Sequence, residues 1–371
     1  MNSEIDQYAN NGSRNLNADR DLHVQQIFIS ENVARLFAKE LPGVDVPQLV
    51  TRGLEKRHER SLNFFGKFCN MLKGKNAVSD AKFEDPGIQA SIEDAVTGFT
   101  RSGDEAVGDV LADLLAERVT CERRDTKDLS LDLAIQAAGK MDSEHYNALS
   151  LLLLLLNSTF STSGGLAGLF HHFRELLIPF GESLDISETD VRYLEDLGCL
   201  KANSGFTFQS FTFAHGIRTI YQGMFTKGTD PNDHIASTLS SVQILRPGSP
   251  FPLLVPCPRS PGMVQVNAMT NKDLEALKKE ISHLDQNQQT FVATLNESKS
   301  LSDEEILAEL TSFDSRFKNL AQAWDSTTLG RTNITVTGTV IAHSNLRRVL
   351  GEKFLTPLDV WLPTRTAFKG A

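Results

Sequence analysis

The stretch 104-DEAVGDVLADLLAERV-119 decides the fold class, because its apolar residues follow the period of an α-helix. They recur at i, i+3, i+4, i+7 and i+8, while Asp109, Asp113 and Glu117 lie on the opposite face. Such a stripe predicts an amphipathic helix that packs on a hydrophobic core. No proline occurs between positions 87 and 178, so the surrounding stretch permits a run of helices.

A second leucine-rich segment follows, with six consecutive leucines at 151–156 inside an uncharged span at 146–170. This span is long enough to cross a bilayer, since about 20 apolar residues suffice. However, the Ser, Thr, Asn and Gly residues at 157–165 are typical of a loop. We therefore predict two helices of a soluble bundle joined by that loop, and keep the membrane span as the alternative.

The composition is that of a globular protein and removes several functional classes. The 371 residues are enough for two or three domains, and 40% of them are hydrophobic. A formal net charge of −10 disfavours a general nucleic-acid coat. The 4 cysteines lie far apart and form no CxxC pair, which argues against a zinc ribbon or a thioredoxin-like motif. The first residues lack the layout of a secretion signal, so we expect a cytoplasmic protein.

Two separated segments together resemble a winged-helix module. The first is 191-VRYLEDLGCLKA-202, a helix with a glycine stop, followed by a predicted strand over 206–213. The second is a helix capped by Thr335 within 334-ITVTG-338. Joined, they form a winged-helix-like unit with a small β component, split by an insertion of more than a hundred residues. The alternative is two unrelated elements, since helices that end in glycine are common.

The insertion contains an apolar repeat that predicts an antiparallel helical hairpin over residues 270–326. In both arms the apolar residues alternate between three and four positions apart, with Gln288 as one polar exception. Ser302 with Glu305 forms a capping box that opens the second arm after a short loop. Such a seam packs either within the chain or against a second protein. The predicted interaction seam consists of Leu274, Leu277, Ile281, Leu284, Phe291, Leu295, Ile306, Leu310, Phe313, Phe317, Leu320 and Trp324.

The prolines and these patterns together divide the chain. Six of the 13 prolines lie between positions 247 and 261, which excludes a continuous helix there. We therefore predict a mainly α fold. Its parts are a disordered tail at 1–20, an N-terminal helical bundle at 21–180, a winged-helix-like unit at 181–215 plus 331–371, an irregular proline-rich insertion at 216–269, and the helical hairpin at 270–326.

One helix near the N-terminus is basic, although the chain as a whole is acidic. Between positions 51 and 76 there are seven basic and two acidic residues, with phenylalanines among them. A basic amphipathic helix can bind an anionic membrane or phosphates. The alternative is an ordinary helix with a solvated basic face and a phenylalanine face packed on the bundle. The candidate binding residues are Arg52, Lys56, Arg57, Arg60 and Lys67.

The sequence contains no P-loop, no GxSxG elbow, no GxGxxG after a strand and no HExxH. His171, His172 and Glu175 have metal-ligand spacing on a helix. A single motif of this kind lacks the partner carboxylates of a bundle metal site, so we interpret it as a surface pair. Cys257, which lies between two prolines, is interpreted as a packed cysteine. We predict no catalytic residue, no metal and no cofactor.

The order of these elements resembles uncharacterised bacterial helical proteins of the abortive-infection alpha type. The resemblance rests on 107-VGDVLADLLAERV-119, on the leucine-rich helix, on 193-YLEDLGCL-200 and on the late TxxG helix that ends in 345-NLRR-348. It implies a bacterial cytosolic protein linked to phage defence, and it implies no mechanism.

From these features we predict a non-enzymatic protein-interaction module, a phage-defence sensor or effector that assembles through its helical hairpin. A first alternative is a nucleic-acid-binding regulator built on the winged-helix-like unit, although the helix at 188–197 is mostly acidic. A second alternative is a membrane effector that acts through 146–170 or the basic helix at 51–76. We expect a protein partner or a second copy of the chain as the binding partner, ahead of nucleic acid or a membrane.

Overall fold

The computed structural model describes residues 46–73, 79–122, 125–182, 184–202, 212–246 and 249–362. As predicted, these parts of the chain are mainly α-helical, and their strands form only short antiparallel pairs. The predicted tail at 1–20 and most of the predicted strand at 206–213 lie outside the described residues. The helices are α1 (Val46–Lys73), α2 (Pro86–Ser102), α3 (Glu105–Thr120), α4 (Thr126–Ala138), α5 (Ser143–Leu156), α6 (Gly165–Leu176), α7 (Ile178–Gly181), α8 (Glu188–Asp196), α9 (Phe213–Ile220), α10 (Gln222–Phe225), α11 (His234–Leu239), α12 (Asn271–Glu280), α13 (Gln286–Ser298), α14 (Asp303–Phe313), α15 (Arg316–Asp325) and α16 (Val336–Leu350). The strands are β1 (Leu200–Ala202), β2 (Gln243–Arg246), β3 (Ser249–Pro252), β4 (Leu254–Pro256), β5 (Val264–Val266) and β6 (Thr332–Ile334).

The chain consists of two compact units, Met1–Glu59 and Arg60–Ala371. The described part of the first unit is the beginning of α1, where Leu49 and Leu54 are exposed. Every other helix and strand belongs to the second unit.

The centre of the second unit is α16, which packs against α3, α4 and α5. Its buried apolar residues include Val340 and Leu346. α3 is buried almost all round, because α2, α4 and α16 pack against it. Asp113, on the face of α3 opposite the predicted stripe, is therefore buried as well. Its carboxylate lies 3.4 Å from the guanidinium of Arg347 on α16, which compensates for the loss of water.

The six consecutive leucines lie in α5, and Leu151 to Leu155 are buried in the same core. α5 ends at Leu156, and the segment 157–164 separates it from α6, as predicted. Tyr146 in the first half of α5 is also buried, and its hydroxyl donates to the carbonyl of Ala138 at 2.8 Å. In the described ranges, no helix combines the length and the apolar character that a membrane span requires.

The two segments of the predicted winged-helix-like unit lie side by side. β1 pairs antiparallel with β6, and Leu200 stands opposite Ile334. Thr335 then caps α16: its hydroxyl oxygen accepts from the Gly338 N–H at 3.1 Å, and its hydroxyl donates to the Gly198 carbonyl at 2.7 Å. The assignment of this arrangement to the winged-helix class stays a prediction.

The first difference from the predicted hairpin is that neither arm is one continuous helix. Each arm consists of two helices, α12 and α13 in the first and α14 and α15 in the second. The side chains of Asp285 and Asp314 accept backbone N–H groups of the following helix, at 2.9 Å and 3.1 Å. Such side chains start a new helix, and a count of apolar spacing does not detect them.

The two arms also belong to different hydrophobic cores. Leu274, Leu277 and Leu295 of the first arm pack in a small core together with α11 and the strands β2, β4 and β5. Ile306 and Leu310 of the second arm pack in the main core. The two apolar stripes are therefore used separately inside the chain and do not form one seam.

Residues 226–300 form an inserted lobe around this small core. The lobe consists of the proline-rich segment and the first arm of the predicted hairpin. The segment predicted to be irregular forms short helices and two antiparallel strand pairs, in which prolines are tolerated because every strand is an edge strand. The two ends of the lobe meet at one place. Thr226 is bridged to Ser300, and the Leu301 N–H donates to the Phe225 carbonyl at 2.9 Å.

Candidate functional site

Two of the five candidate basic residues bind other parts of the second unit. The guanidinium of Arg60 donates to the carbonyl of Thr100 at 2.7 Å, near the end of α2. The ammonium of Lys67 lies 2.5 Å from Asp109 and 2.7 Å from Glu105, both in the first turns of α3. Partial burial opposes the charge of Lys67, but the hydrogen bonds with these carboxylates outweigh it and raise the pKa. Both side chains therefore attach α1, the first to the end of α2 and the second to the beginning of α3.

The other three candidate basic residues, Arg52, Lys56 and Arg57, lie in the first unit. Arg52 and Lys56 are exposed, and Arg57 is half-buried. Arg52, Lys56 and Arg57 are therefore described with the first unit, and Arg60 and Lys67 with the second.

The side chains of the predicted interaction seam are largely inside the chain. Leu284, Phe291 and Phe313 are half-buried. A second protein reaches the other nine only if a core opens. These nine, all buried, are Leu274, Leu277, Ile281, Leu295, Ile306, Leu310, Phe317, Leu320 and Trp324.

The histidine pair on α6 makes local contacts. His171 is exposed, and its Nδ1 lies 2.9 Å from the guanidinium of Arg174. Its ring also stands edge-to-face on Phe313, with centroids 5.1 Å apart. His172 is half-buried and Glu175 is exposed. Within the described ranges, no group of three His, Cys, Asp or Glu residues is arranged to hold a metal ion.

Cys257 is 4% exposed and lies at the neck of the inserted lobe. Its thiol contacts the carbonyl of Thr226 at 3.5 Å. Arg259, the cation nearby in sequence, instead forms two hydrogen bonds with Glu309 of α14, at 2.6 Å and 2.9 Å. The cysteine is therefore packed, and the arginine joins the lobe to the main core.

The helix that would read nucleic acid in the winged-helix-like alternative is α8. Its side chains include Glu188, Asp190, Glu195 and Asp196 against one Arg192, which repels phosphates. Glu188 also accepts the backbone N–H of Thr328 at 3.0 Å and its hydroxyl at 2.9 Å, so its carboxylate is used within the fold.

A buried polar cluster on α16 was not predicted from the sequence. The amide of Asn345, which is fully buried, donates to Ser150 at 3.0 Å and accepts the guanidinium of Arg348 at 2.7 Å. Arg347 pairs with Glu117 of α3 at 2.8 Å. These groups satisfy one another, and the cluster fixes the rotation of α16 against α3 and α5.

The helix α4 exposes a line of apolar side chains on an otherwise packed element. Leu129 is 46% exposed and Leu133 is 56% exposed, one helical turn apart. On the opposite side, Leu131 and Ile135 are completely buried. We call the exposed side, formed by Thr126, Leu129, Leu133, Gln136 and Lys140, the leucine face.

The leucine face is held on a rigid base. Arg118 of α3 binds two carboxylates of α4, Asp128 at 2.6 Å and Asp132 at 2.6 Å. At the end of α4, Gly139 lies so near Gly98 of α2 that a Cβ on residue 98 stands 2.7 Å from the Gly139 Cα. The close approach and the ion pairs fix the position of α4.

Charged residues of both signs precede the leucine face in the sequence, as 122-ERRD-125, and Lys140 ends it. Glu122 and Asp125 are exposed at its beginning, and Lys140 is exposed at its end. Tyr193 of α8, which is 38% exposed, extends this end, because its hydroxyl donates to the Lys140 carbonyl at 2.9 Å. The face is thus apolar at its centre and polar at both ends, as in protein interfaces.

A protein-family model without a functional description matches residues 44–362, which is more than half of the chain. Neither the curated proteins nor the solved structures contain a significant match to the chain.

Proposed function

The chain belongs to the uncharacterised family whose model matches residues 44–362, and we propose that it acts as a non-enzymatic protein-interaction module. The observation that supports this function is the leucine face of α4. Two leucines about half exposed on one turn of a core helix remain in contact with water in the isolated chain. Covering them with a partner is favourable by about 25 cal/mol per Å² of apolar surface.

The rigid base of α4 also favours binding. Its opposite face is buried, and Arg118 fixes it through Asp128 and Asp132. A partner therefore binds a preformed helix and spends little free energy on ordering it. The hairpin seam is less suited to the same role, because most of its side chains already fill the cores of the chain.

A pull-down from bacterial cells with matched variants tests this function. We expect the tagged wild-type chain to bind a defined protein or a second copy of itself. The Leu133→Asp variant is expected to lose this binding. The control is Leu62→Asp, because Leu62 is similarly exposed, at 60%, but lies on α1. Binding is then measured with the purified partner by calorimetry. If the wild type and Leu133→Asp bind the same proteins with equal affinity, the leucine face is not the interaction surface.

The resemblance to the abortive-infection alpha type supports a role for this module in phage defence, as a sensor or an effector. We expect phage to plate less efficiently on bacteria that express the chain than on bacteria with an empty vector. Leu133→Asp is expected to abolish the protection, and Leu62→Asp to keep it. Unchanged plating for a broad phage panel would remove the defence role while leaving the interaction function to the binding experiment.

A further inference from the structure

We propose that His145 forms a proton-dependent bridge between the beginning of α5 and the beginning of α8, closed when the imidazole carries a proton on both nitrogens. We call Asp142, His145 and Asp190 the histidine bridge. The inference is independent of the proposed interaction function. It rests on a carboxylate at each ring nitrogen: Nδ1 lies 2.6 Å from an oxygen of Asp142, and Nε2 lies 3.7 Å from an oxygen of Asp190.

The contact at Nδ1 determines where the neutral ring carries its proton. An ionised carboxylate only accepts hydrogen bonds, so the distance of 2.6 Å to Asp142 requires a proton on Nδ1. The backbone N–H of Asp142 also approaches Nδ1, at 3.4 Å, but this contact is much longer, and we assign the proton by the shorter one. The neutral ring then has only a lone pair at Nε2.

The Nε2 atom is the unusual part of the histidine bridge. His145 is 9% exposed, and its Nε2 is buried without a hydrogen-bond partner in the ranges that the structure describes. Buried polar atoms are normally satisfied, because an unpaired one costs free energy. A second proton makes Nε2 a donor beside the oxygen of Asp190, so that the imidazolium has a carboxylate at each nitrogen. The fold therefore contains the acceptor for a proton that the neutral ring does not carry.

Further groups beside the ring are acidic or aromatic. Glu144 adds another carboxylate on α5; burial raises the pKa of Glu144 above its ordinary value of 4.5, and the carboxylate accepts the Asp185 N–H at 3.1 Å. On α8, the ring of Tyr193 lies 5.4 Å from the His145 ring, a distance at which an aromatic ring attracts a cation. The tyrosine hydroxyl donates to the carbonyl of Lys140, whose own side chain is exposed. A proton on His145 therefore meets attractive groups from both helices.

Asp190 is ionised over the whole range in which a histidine ordinarily gains its proton. The Ser187 hydroxyl donates to Asp190 at 2.6 Å, and the Ser187 N–H donates to it at 2.8 Å. These hydrogen bonds lower the pKa of Asp190 below its ordinary value of 3.8. Histidine side chains change charge between about pH 5 and about pH 8. The proton on His145 is therefore the one change that closes the bridge.

The histidine bridge affects how firmly α8 is held. α8 leads into β1, which pairs with β6 directly before α16. Closing the bridge adds an ion pair between α8 and α5, and this ion pair is present only while the ring is doubly protonated. Its stabilising contribution therefore grows as the pH falls and is lost as the pH rises. We expect local opening of α8 to become rarer between about pH 8 and about pH 5.5.

NMR of the histidine ring nitrogens in the full chain tests the bridge directly, because their shifts report protonation. The His145 signals are those that disappear in His145→Gln. At the pH at which the wild-type ring is half protonated, we expect Asp190→Asn to lower the doubly protonated fraction at least about twofold, since the imidazolium loses one carboxylate. The matched control is Asp196→Asn, which removes an exposed carboxylate from the same helix and is expected to keep the wild-type fraction. An equal change in both variants, or none in Asp190→Asn, overturns the bridge.

Hydrogen exchange of the α8 amides tests the consequence for the fold. Rates are divided by those of an unstructured chain at the same pH, which gives protection factors. The ratio of wild-type to Asp190→Asn protection is expected to rise at least about threefold from about pH 8 to about pH 5.5, and His145→Gln to give the same rise. With Asp196→Asn the ratio is expected to stay constant. A constant ratio for both bridge variants would show that proton binding does not hold α8.

Two variants keep this test decisive. Asp190→Asn and His145→Gln remove opposite sides of one contact, and circular dichroism verifies that each keeps the wild-type fold. If one of them fails to fold, the other still decides. A rise in the ratio that Asp196→Asn shares would assign the effect to the total charge of α8 and overturn the role of His145.

Discussion

Gly338 of α16 lies directly against the carbonyl oxygen of Cys199, so close that no Cβ fits between them. The same carbonyl accepts the Thr335 N–H at 3.0 Å. These contacts join two segments that lie far apart in the sequence, the start of β1 and the first turn of α16. The glycine is therefore required by a close approach of two backbones and not by an unusual φ angle.

This contact predicts opposite effects for two glycine-to-alanine substitutions in helices. We expect Gly338→Ala to lower the free energy of unfolding by about 1–3 kcal/mol, because the added Cβ pushes α16 away from β1. In Gly216→Ala, on α9, the added Cβ meets no heavy atom within 4 Å. It is expected to raise the free energy of unfolding by about 0.5–1 kcal/mol, since alanine favours a helix over glycine. Urea unfolding followed by circular dichroism measures both, and equal stabilities would contradict the close approach.

The ion pairs of Arg118 predict a large loss of stability when they are broken. Asp128 is 2% exposed, so removing Arg118 deprives a buried carboxylate of this ion pair. We expect Arg118→Ala to lower the free energy of unfolding by about 3–5 kcal/mol. The control is Arg192→Ala, since the Arg192 side chain is 74% exposed and lies 3.8 Å from Glu188. A change of at most about 0.5 kcal/mol is expected there, and a comparable loss in both variants would contradict the structural role of Arg118.

The helices of the main core could be predicted from the sequence, because the helical period and the caps are local. The stripe of α3, the loop between α5 and α6 and the cap at Thr335 are of this kind. The local sequence does not determine in which hydrophobic core an apolar stripe packs. Leu274 and Ile306 lie on equally regular stripes, but the first packs with Ile244 and Val266 of the strands, and the second packs in the main core. No spacing within the two arms contains that information.

The candidate site shows the same limit. Arg60 has the residue type of a surface cation, and its partner is a backbone carbonyl, which has no sequence signal. The leucine face did leave a signal. α4 carries Leu129 and Leu133 in addition to a complete buried stripe that includes Leu131 and Ile135. The core covers only the buried stripe, so the second apolar side of α4 remains exposed.

His343 on α16 predicts a dependence of stability on pH. Burial lowers the pKa of His343 below its ordinary value of 6.5, and its Nε2 lies 2.8 Å from the Thr356 carbonyl. Between the lowered pKa of the folded chain and pH 6.5, the imidazole is neutral in the folded chain and protonated in the unfolded chain. The stabilising contribution is therefore complete above pH 6.5 and is lost as the pH falls from 6.5 towards the folded pKa.

The substitution His343→Gln tests this dependence, because a glutamine amide retains a donor for Thr356 and does not titrate. We expect the wild type to lose more unfolding free energy than His343→Gln between about pH 7.5 and about pH 5.5. Urea unfolding of both chains at the two pH values measures the difference. The comparison removes the contribution of the carboxylates, which both chains share. If the two chains lose equal amounts, burial of the neutral imidazole is not the cause.

The neck of the inserted lobe predicts that the main core folds without it. Thr226 and Ser300 are bridged, and the Cα atoms of opposed residues in an antiparallel pair lie about 4.5–5.5 Å apart, so an Asn-Gly turn can replace residues 227–299. We expect the shortened chain to keep a cooperative thermal transition by circular dichroism. Its midpoint is expected to fall, because α10 loses the bond from the Gln265 amide to the Gly223 carbonyl, 3.1 Å long.

The matched control is removal of α14 and α15, residues 303–325, with the same turn. Ile306, Leu310 and Phe317 lie in the main core, so this deletion is expected to abolish the cooperative transition. The contrast follows from the division of the predicted hairpin between two cores. Loss of the transition in both chains would mean that the lobe and the main core fold as one unit. Its retention in both would mean that α14 and α15 contribute little to the main core.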